Sequence, residues 1–336
     1  MRLDEQKLAR AAECARGYVL NGSLPTALVA VADRERLRWV RGFGEGGRDD
    51  PSLEERVFPL ASITKAVTAV GIARLVNQGR LNYDDPVAHH IPEFARDAGR
   101  ARITTEQILT HTTGLPGMSL KELCGGGYRR EDSYRVNFDG DLVFPPGTRT
   151  AYATLTYQLL NEIIFRRLRQ RMEAFLKETV LDPCGMTSTG FRPDPARAMP
   201  NLSFPLPDPE NAARFVALEL SGGGLWSSLG DLVRLAQALL QPGRLMRPGT
   251  FALMTEPRPN IQWSTGSPTR RTRGWVKDPL SDFPRQPDAG FFHGGATGTF
   301  LWIDPEADFI FVFLSNLWCS RNDHSFATLN LLSEGG

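Results

Sequence analysis

Residues 62–78 (SITKAVTAVGIARLVNQ) are apolar on most faces and stop at Gly79, which predicts a helix buried inside the protein instead of one laid on its surface. Other elements must surround it. Strand patterns occur only toward the two chain ends. Ala27–Ala32 and Leu37–Phe43, separated by Asp33-Arg34-Glu35, read as a β-hairpin, and 299–303 and Phe309–Leu314, joined across residues 304–308, read as a second strand pair. Helical spacing covers 4–20, ending at Asn21-Gly22, then Leu229–Leu240 after the run Gly222-Gly223-Gly224, and a short stretch at 324–332. Between about 81 and 214 the chain alternates helical segments with Pro/Gly-rich loops and shows no alternating strand pattern. The order predicts an α/β protein of the α+β type, with one sheet built from both ends, flanked by helices, and a helical lobe inserted between them. The expected division is 1–80 with 215–336 for the sheet and 81–214 for the lobe.

Composition narrows the partners. The 336 residues carry 39 basic and 38 acidic side chains, a formal net charge of +1, so there is no cation surplus for nucleic acid or an anionic membrane. With 41% hydrophobic and 23% charged residues the chain belongs to the globular class and is long enough for one large core or two moderate ones. The first thirty residues contain no apolar run of signal-peptide length and no stretch reaches 18 apolar residues, so a cytoplasmic location is expected. Cys14, Cys124, Cys184 and Cys319 lack CxxC spacing, and the pair His89-His90 lies in a polar turn-like stretch, so no disulfide framework, metal or cofactor is expected. The GxGxxG match at 42–47 is followed by a polar, proline-containing stretch where a dinucleotide site requires a helix.

The basic residues are skewed: five lysines against 34 arginines. Arg serves as well as Lys on a solvated surface, so a Lys where a deprotonable amine is needed stands out. Lys65 alone has a serine, Ser62, three positions before it. Five lysines and 17 serines in 336 positions produce about a quarter of one such pair by chance, so the setting carries the weight. Residues at i and i+3 share a helix face, and a Lys among Ile63, Ala66, Val67 and Val70 is desolvated, which suits it to act as base for the Ser62 hydroxyl. The Ser62 N–H at a helix start is placed to stabilise an oxyanion. The competing reading makes Ser62 an N-cap and points Lys65 at water. Tyr152, after Pro145-Pro146-Gly147, is either a proton shuttle or a core aromatic. His293-Gly294-Gly295, in HGGATGTF (293–300), marks either close backbone approach to a ligand or a tight turn.

Taken together, Ser62-Ile63-Thr64-Lys65, Tyr152-Ala153-Thr154 and His293-Gly294-Gly295 resemble, in order and spacing, the three boxes of the serine β-lactamase and penicillin-binding-protein superfamily, most closely its class C and family VIII carboxylesterase-like branch. ITTEQILTHTTGLP (103–116), LDPCGMTST (181–189) and SGGGLWSSLGDLVRLAQALL (221–240) resemble its framework segments. The resemblance implies a β-lactamase/transpeptidase-like fold with the active site where sheet and lobe meet. It also implies an acyl-enzyme on Ser62, proton handling by Lys65 and Tyr152, an oxyanion hole from the Ser62 and Ala296 amides, and substrate contacts from Thr154, His293, Gly294 and Gly295.

Two positions depart from the β-lactamase pattern. Thr154 replaces the usual Asn that contacts an acylamino group, and His293 replaces the Lys that helps bind a carboxylate. The leading expectation is therefore a carboxylesterase or transesterase on small to medium acyl esters. The alternatives are a D-amino-acid peptidase or amidase, then a β-lactamase, then a catalytically dead binding protein. The partner expected is a small-molecule ester or amide; oligomeric state is not readable. Arg129, Arg130 and Arg149 are either anion contacts or solvated surface residues, the latter favoured.

Overall fold

The computed structural model describes residues 4–117, 133–204, 213, 215–258, 270–277, 290–318, 320 and 322–333. In chain order the principal elements are α1 (Glu5–Leu20), β1 (Ala27–Ala32), β2 (Leu37–Phe43), β3 (Phe58–Pro59), α2 (Ile63–Asn77), α3 (Thr105–Leu109) and α4 (Gln158–Leu168). They continue with β4 (Trp226–Ser227), α5 (Leu229–Leu240), α6 (Pro248–Thr255), β5 (Arg270–Arg271), β6 (Val276–Lys277), β7 (Phe291–Gly295), β8 (Thr299–Asp304), β9 (Phe309–Leu314) and α7 (Asp323–Ser333).

Seven strands form one sheet in the order β2-β1-β9-β8-β7-β6-β5, and every neighbouring pair is antiparallel. The first hairpin pairs with the last strand through Leu28↔Leu314 to Ala32↔Ile310, so the two chain ends close one sheet. Both faces of its centre are buried, and the period-2 alternation sorts the side chains. Leu28, Ala30, Leu301, Ile303, Ile310 and Val312 join the core shared with α2 and α5. Val29, Val31, Phe300, Trp302, Phe311 and Phe313 join a second core beneath α1 and α7. Two buried faces explain why β1 and β9 read as unbroken apolar runs.

Twelve of the fifteen α2 residues are buried. Helix and strand neighbours come so close that Gly71 and Gly274 have no room for a side chain: a Cβ would meet Phe175 Cε1 at 2.9 Å in the first case and Ala69 Cβ at 2.2 Å in the second. Among the described residues from 81 to 213 there are helices, 3-10 turns and isolated bridges, with no strand of either sheet. The GxGxxG stretch ends β2 and passes into a 3-10 turn at Glu45–Gly47, with no long helix opening from it. Two features differ from the sequence expectation. Residues 291–295 form β7 although two glycines make them read as a loop, and α6 begins with a Pro-Gly pair that hides an eight-residue helix. Cys14 and Cys184 are free thiols, whereas Cys124 and Cys319 lie outside the described residues. No cluster able to hold a metal ion, and no helix long and apolar enough to cross a membrane, occurs among the described residues.

Candidate active site

The turn from β3 into α2 places Ser62. Ala61 adopts φ 45°, a left-handed conformation that costs a non-glycine residue about 1–3 kcal/mol and persists only where surrounding contacts enforce it. Those contacts are the Leu60 N–H donated to the Leu225 carbonyl at 2.9 Å and the Leu60 carbonyl accepting from Thr299 Oγ1 at 3.0 Å. Ser62 occupies the N-cap position, but its hydroxyl caps nothing. It accepts a hydrogen bond from the Tyr152 hydroxyl at 2.7 Å and another from Lys65 Nζ at 3.3 Å.

Lys65 has no exposed surface. Its amine donates to Ser62 Oγ, to Thr154 Oγ1 at 3.3 Å and to the Gly222 carbonyl, and it lies 4.7 Å from the centre of the Tyr152 ring. Burial depresses its affinity for a proton; the Tyr152 phenol opposes that, and Arg271 adds to it. Gly222 can bring its carbonyl so close because it lacks a side chain: a Cβ would sit 2.6 Å from the Thr154 carbonyl.

Tyr152 reaches the serine from a segment tied to residues 111–114. The Ala151 N–H bonds the His111 carbonyl at 2.9 Å, the Ala153 N–H bonds His111 Nδ1 at 3.3 Å, and the Gly147 N–H bonds the Thr112 carbonyl at 2.8 Å. His111 itself follows α3, whose Thr104/Gln107 capping box fixes the helix start, and its ring packs 4.4 Å from that of Tyr152. Desolvation would raise the phenol's pKa. The Lys65 charge, the close polar contacts with Lys65 and Ser62, and the Arg271 charge outweigh it, and the pKa falls below its ordinary 10.0.

The turn after β7 sits directly on the segment before Ser62. Thr297 Oγ1 donates to the Pro59 carbonyl, and a Cβ on Gly295 would strike the Leu60 carbonyl at 2.2 Å. Among the described residues the Ser62 and Ala296 N–H groups have no acceptor, while the Ala296 carbonyl is anchored by the Ser320 N–H at 3.1 Å. Gly294 serves packing, since a Cβ there would meet Asn322 Nδ2 at 2.2 Å. His293 is buried with Nδ1 2.8 Å from the Gly294 carbonyl. Desolvation, reinforced by Lys65 and Arg271, pushes its pKa down to about 3, so it is neutral at ordinary pH.

Ser62, Lys65, Tyr152 and Thr154 are thus joined by hydrogen bonds, and the segment with His293, Gly294, Gly295 and Ala296 leads into the turn that packs on the residues before Ser62. Two neighbours did not stand out in the sequence. His111 is one, flagged only by its place in the 103–116 segment. Arg271 on β5 is the other, its guanidinium 5.1 Å over the Tyr152 ring. Arg149 is exposed, and Arg129 and Arg130 lie outside the described residues.

Comparison with known proteins gives a consistent picture. A family model described as Beta-lactamase matches residues 8–333. The chain is 28% identical to Esterase EstB of Burkholderia gladioli over 340 residues, which span 86% of this chain and 85% of that protein. Its fold superposes on EstCE1, described as a hydrolase with promiscuous acyltransferase activity, with a TM-score of 0.82 at 20% identity over 98% and 99% of the two chains. A family VIII carboxylesterase aligns with a TM-score of 0.75 at 20% identity, over 99% of this chain and 98% of that one.

Proposed function

Because the chain belongs to the beta-lactamase family, with its β-lactamase/transpeptidase-like fold, and is a serine hydrolase, we propose that it is a carboxylesterase or transesterase working through an acyl-enzyme on Ser62. The observation that carries this reading is the placement of Ser62 Oγ between the Tyr152 hydroxyl at 2.7 Å and Lys65 Nζ at 3.3 Å. In this reading the sheet part (1–80 with 215–336) and the helical lobe (81–214) meet at the site.

The three acceptors around Lys65 match the three N–H donors of an ammonium ion. In this reading these acceptors and the Tyr152 phenol hold Lys65 protonated against the burial that disfavours its charge, the cation draws Tyr152 toward phenolate, and Tyr152 takes the Ser62 proton as Oγ attacks the ester carbonyl. The carbonyl oxygen becomes an oxyanion held by the Ser62 and Ala296 amides. Tyr152 then passes the proton to the departing alkoxide, and water or an alcohol repeats the sequence on the acyl-enzyme. The sequence favoured Lys65 as base; its buried, fully accepted amine supports Tyr152 for that step.

A neutral His293 offers no cation to a β-lactam carboxylate, which supports esters over β-lactams. The test is p-nitrophenyl butyrate turnover with fluorophosphonate labelling read by mass spectrometry. The label is expected on Ser62, and Ser62→Ala is expected to lose at least about 10³-fold in kcat. Unchanged turnover in that variant, or nitrocefin hydrolysis faster than that of any ester, would overturn the reading.

A further inference from the structure

Against the turn that leads to Ser62, at Pro59 and Ala61, lies an open-mouthed cavity of about 500 Å³, well within the range of small-molecule sites. Ala61 and Thr297 form part of its wall, and each is one residue from an amide of the oxyanion hole. The remaining wall is largely Leu202, Phe204, Phe215, Leu225, Trp226 and Trp318. Phe204 packs edge-on against Phe215 at 5.1 Å and against Trp318 at 4.9 Å, so the aromatic surface is preassembled. Among the described residues that line it none is charged, and Ser62, Lys65, Tyr152 and His293 are not among them.

A tetrahedral intermediate on Ser62 has four substituents. Serine oxygen is one, and the oxyanion toward the two amides is the second. The leaving oxygen must face Tyr152, which protonates it, so the acyl substituent takes the remaining direction, for which the cavity walled by Ala61 and Thr297 offers space. We propose that this cavity binds the acyl part of the substrate and selects neutral acyl groups bearing an aromatic ring or a long chain. The inference rests on the acyl-enzyme reading and narrows it, because an acetyl group would leave most of the space to water. Burial of each further methylene strengthens binding about fourfold, and an apolar wall disfavours a charged acyl group.

The experiment measures kcat/KM for p-nitrophenyl acetate, octanoate and phenylacetate, and for ethyl and octyl acetate. The wild-type protein and the variants Val216→Trp, which fills the cavity from its wall, and Trp318→Ala, which opens it, are compared. Octanoate and phenylacetate are expected to exceed acetate at least about tenfold, while lengthening the alcohol has little effect. Either variant is expected to cut the octanoate-to-acetate ratio about fivefold or more with acetate turnover retained. A flat or falling acyl series, a preference that follows the alcohol, or variants that leave the ratio unchanged would overturn the acyl assignment while Ser62-dependent acetate turnover kept the esterase reading standing. Absence of Ser62-dependent turnover of every ester would overturn both.

Discussion

Arg271 and Lys65 place two cations about one phenol ring, at 5.1 and 4.7 Å from its centre, and this pairing has a pH consequence. Both charges favour the phenolate of Tyr152, against a desolvation that disfavours it. If the phenolate is the working base, kcat/KM rises with pH through the pKa of the Lys65–Tyr152 pair, which titrates as a unit. Removing the Arg271 charge raises the pKa of both members, so Arg271→Gln is expected to move the acid limb of the pH–rate profile upward, by about one unit. A pH series with p-nitrophenyl butyrate checks this, and a limb that stays in place or moves down would remove Arg271 from the account. The lysine itself was visible in the sequence because 34 arginines leave a lone Ser-x-x-Lys conspicuous. Arg271 was not, since an arginine among 34 is recognisable only when its strand is folded beside the tyrosine. His111 was equally hidden, because its left-handed backbone, φ 59°, is set by contacts with residues 147–153.

At the scale of elements, β7 and the turn after it act as a jig for the oxyanion hole. Gly295 is pressed between the Leu60 carbonyl and Thr299 Oγ1, each 2.2 Å from where a Cβ would stand. An added methyl group must push β7 away from the segment that carries Ser62, and the Ala296 amide moves with it. Gly295→Ala is therefore expected to lower kcat by roughly 10²-fold, the scale of losing one oxyanion donor, with a smaller effect on KM. Stopped-flow or steady-state kinetics with p-nitrophenyl butyrate would measure the split, and a loss confined to KM would refute the jig. The legible elements were those whose own pattern decides them. β1, β2 and β9 have the bounds that their apolar runs predict, and α5 spans Leu229–Leu240 as its spacing predicts, with the Ser228 side chain capping it. The strand β7 was not legible because Phe-Phe-His-Gly-Gly has weak strand propensity, and only pairing with β8 from Phe291↔Ile303 to Gly295↔Thr299 makes it one. The two-residue pair β3/β4, which seats the Ser62 turn, is likewise a product of tertiary contact.

Across the whole molecule, the site depends on segments far apart in sequence being held together, and a buried ion cluster does part of this. Glu106 on α3 forms ion pairs with Arg258 Nε and with Arg273 from the β5–β6 turn, both at 2.8 Å. The Arg273 guanidinium is almost fully buried and lies 4.7 Å over the Tyr83 ring. This cluster joins the helix that leads to His111 with the turn that follows Arg271, so the two ring neighbours of Tyr152 share one anchor. Attraction in such a pair is largely offset by desolvation, but removing one partner leaves the other charge buried without compensation. Glu106→Gln keeps the shape and deletes the charge; Glu256, at 3.6 Å from Arg273 and half exposed, is a poor substitute. The variant is expected to lose about 3 kcal/mol of stability, a fall of roughly 4 °C in Tm for a chain of this length. Replacing Glu106 and Arg273 together by Gln and Met is expected to recover part of that loss, because no buried charge then lacks a partner. Differential scanning calorimetry of the two variants distinguishes this from simple loss of packing, in which the double variant would be the less stable of the two.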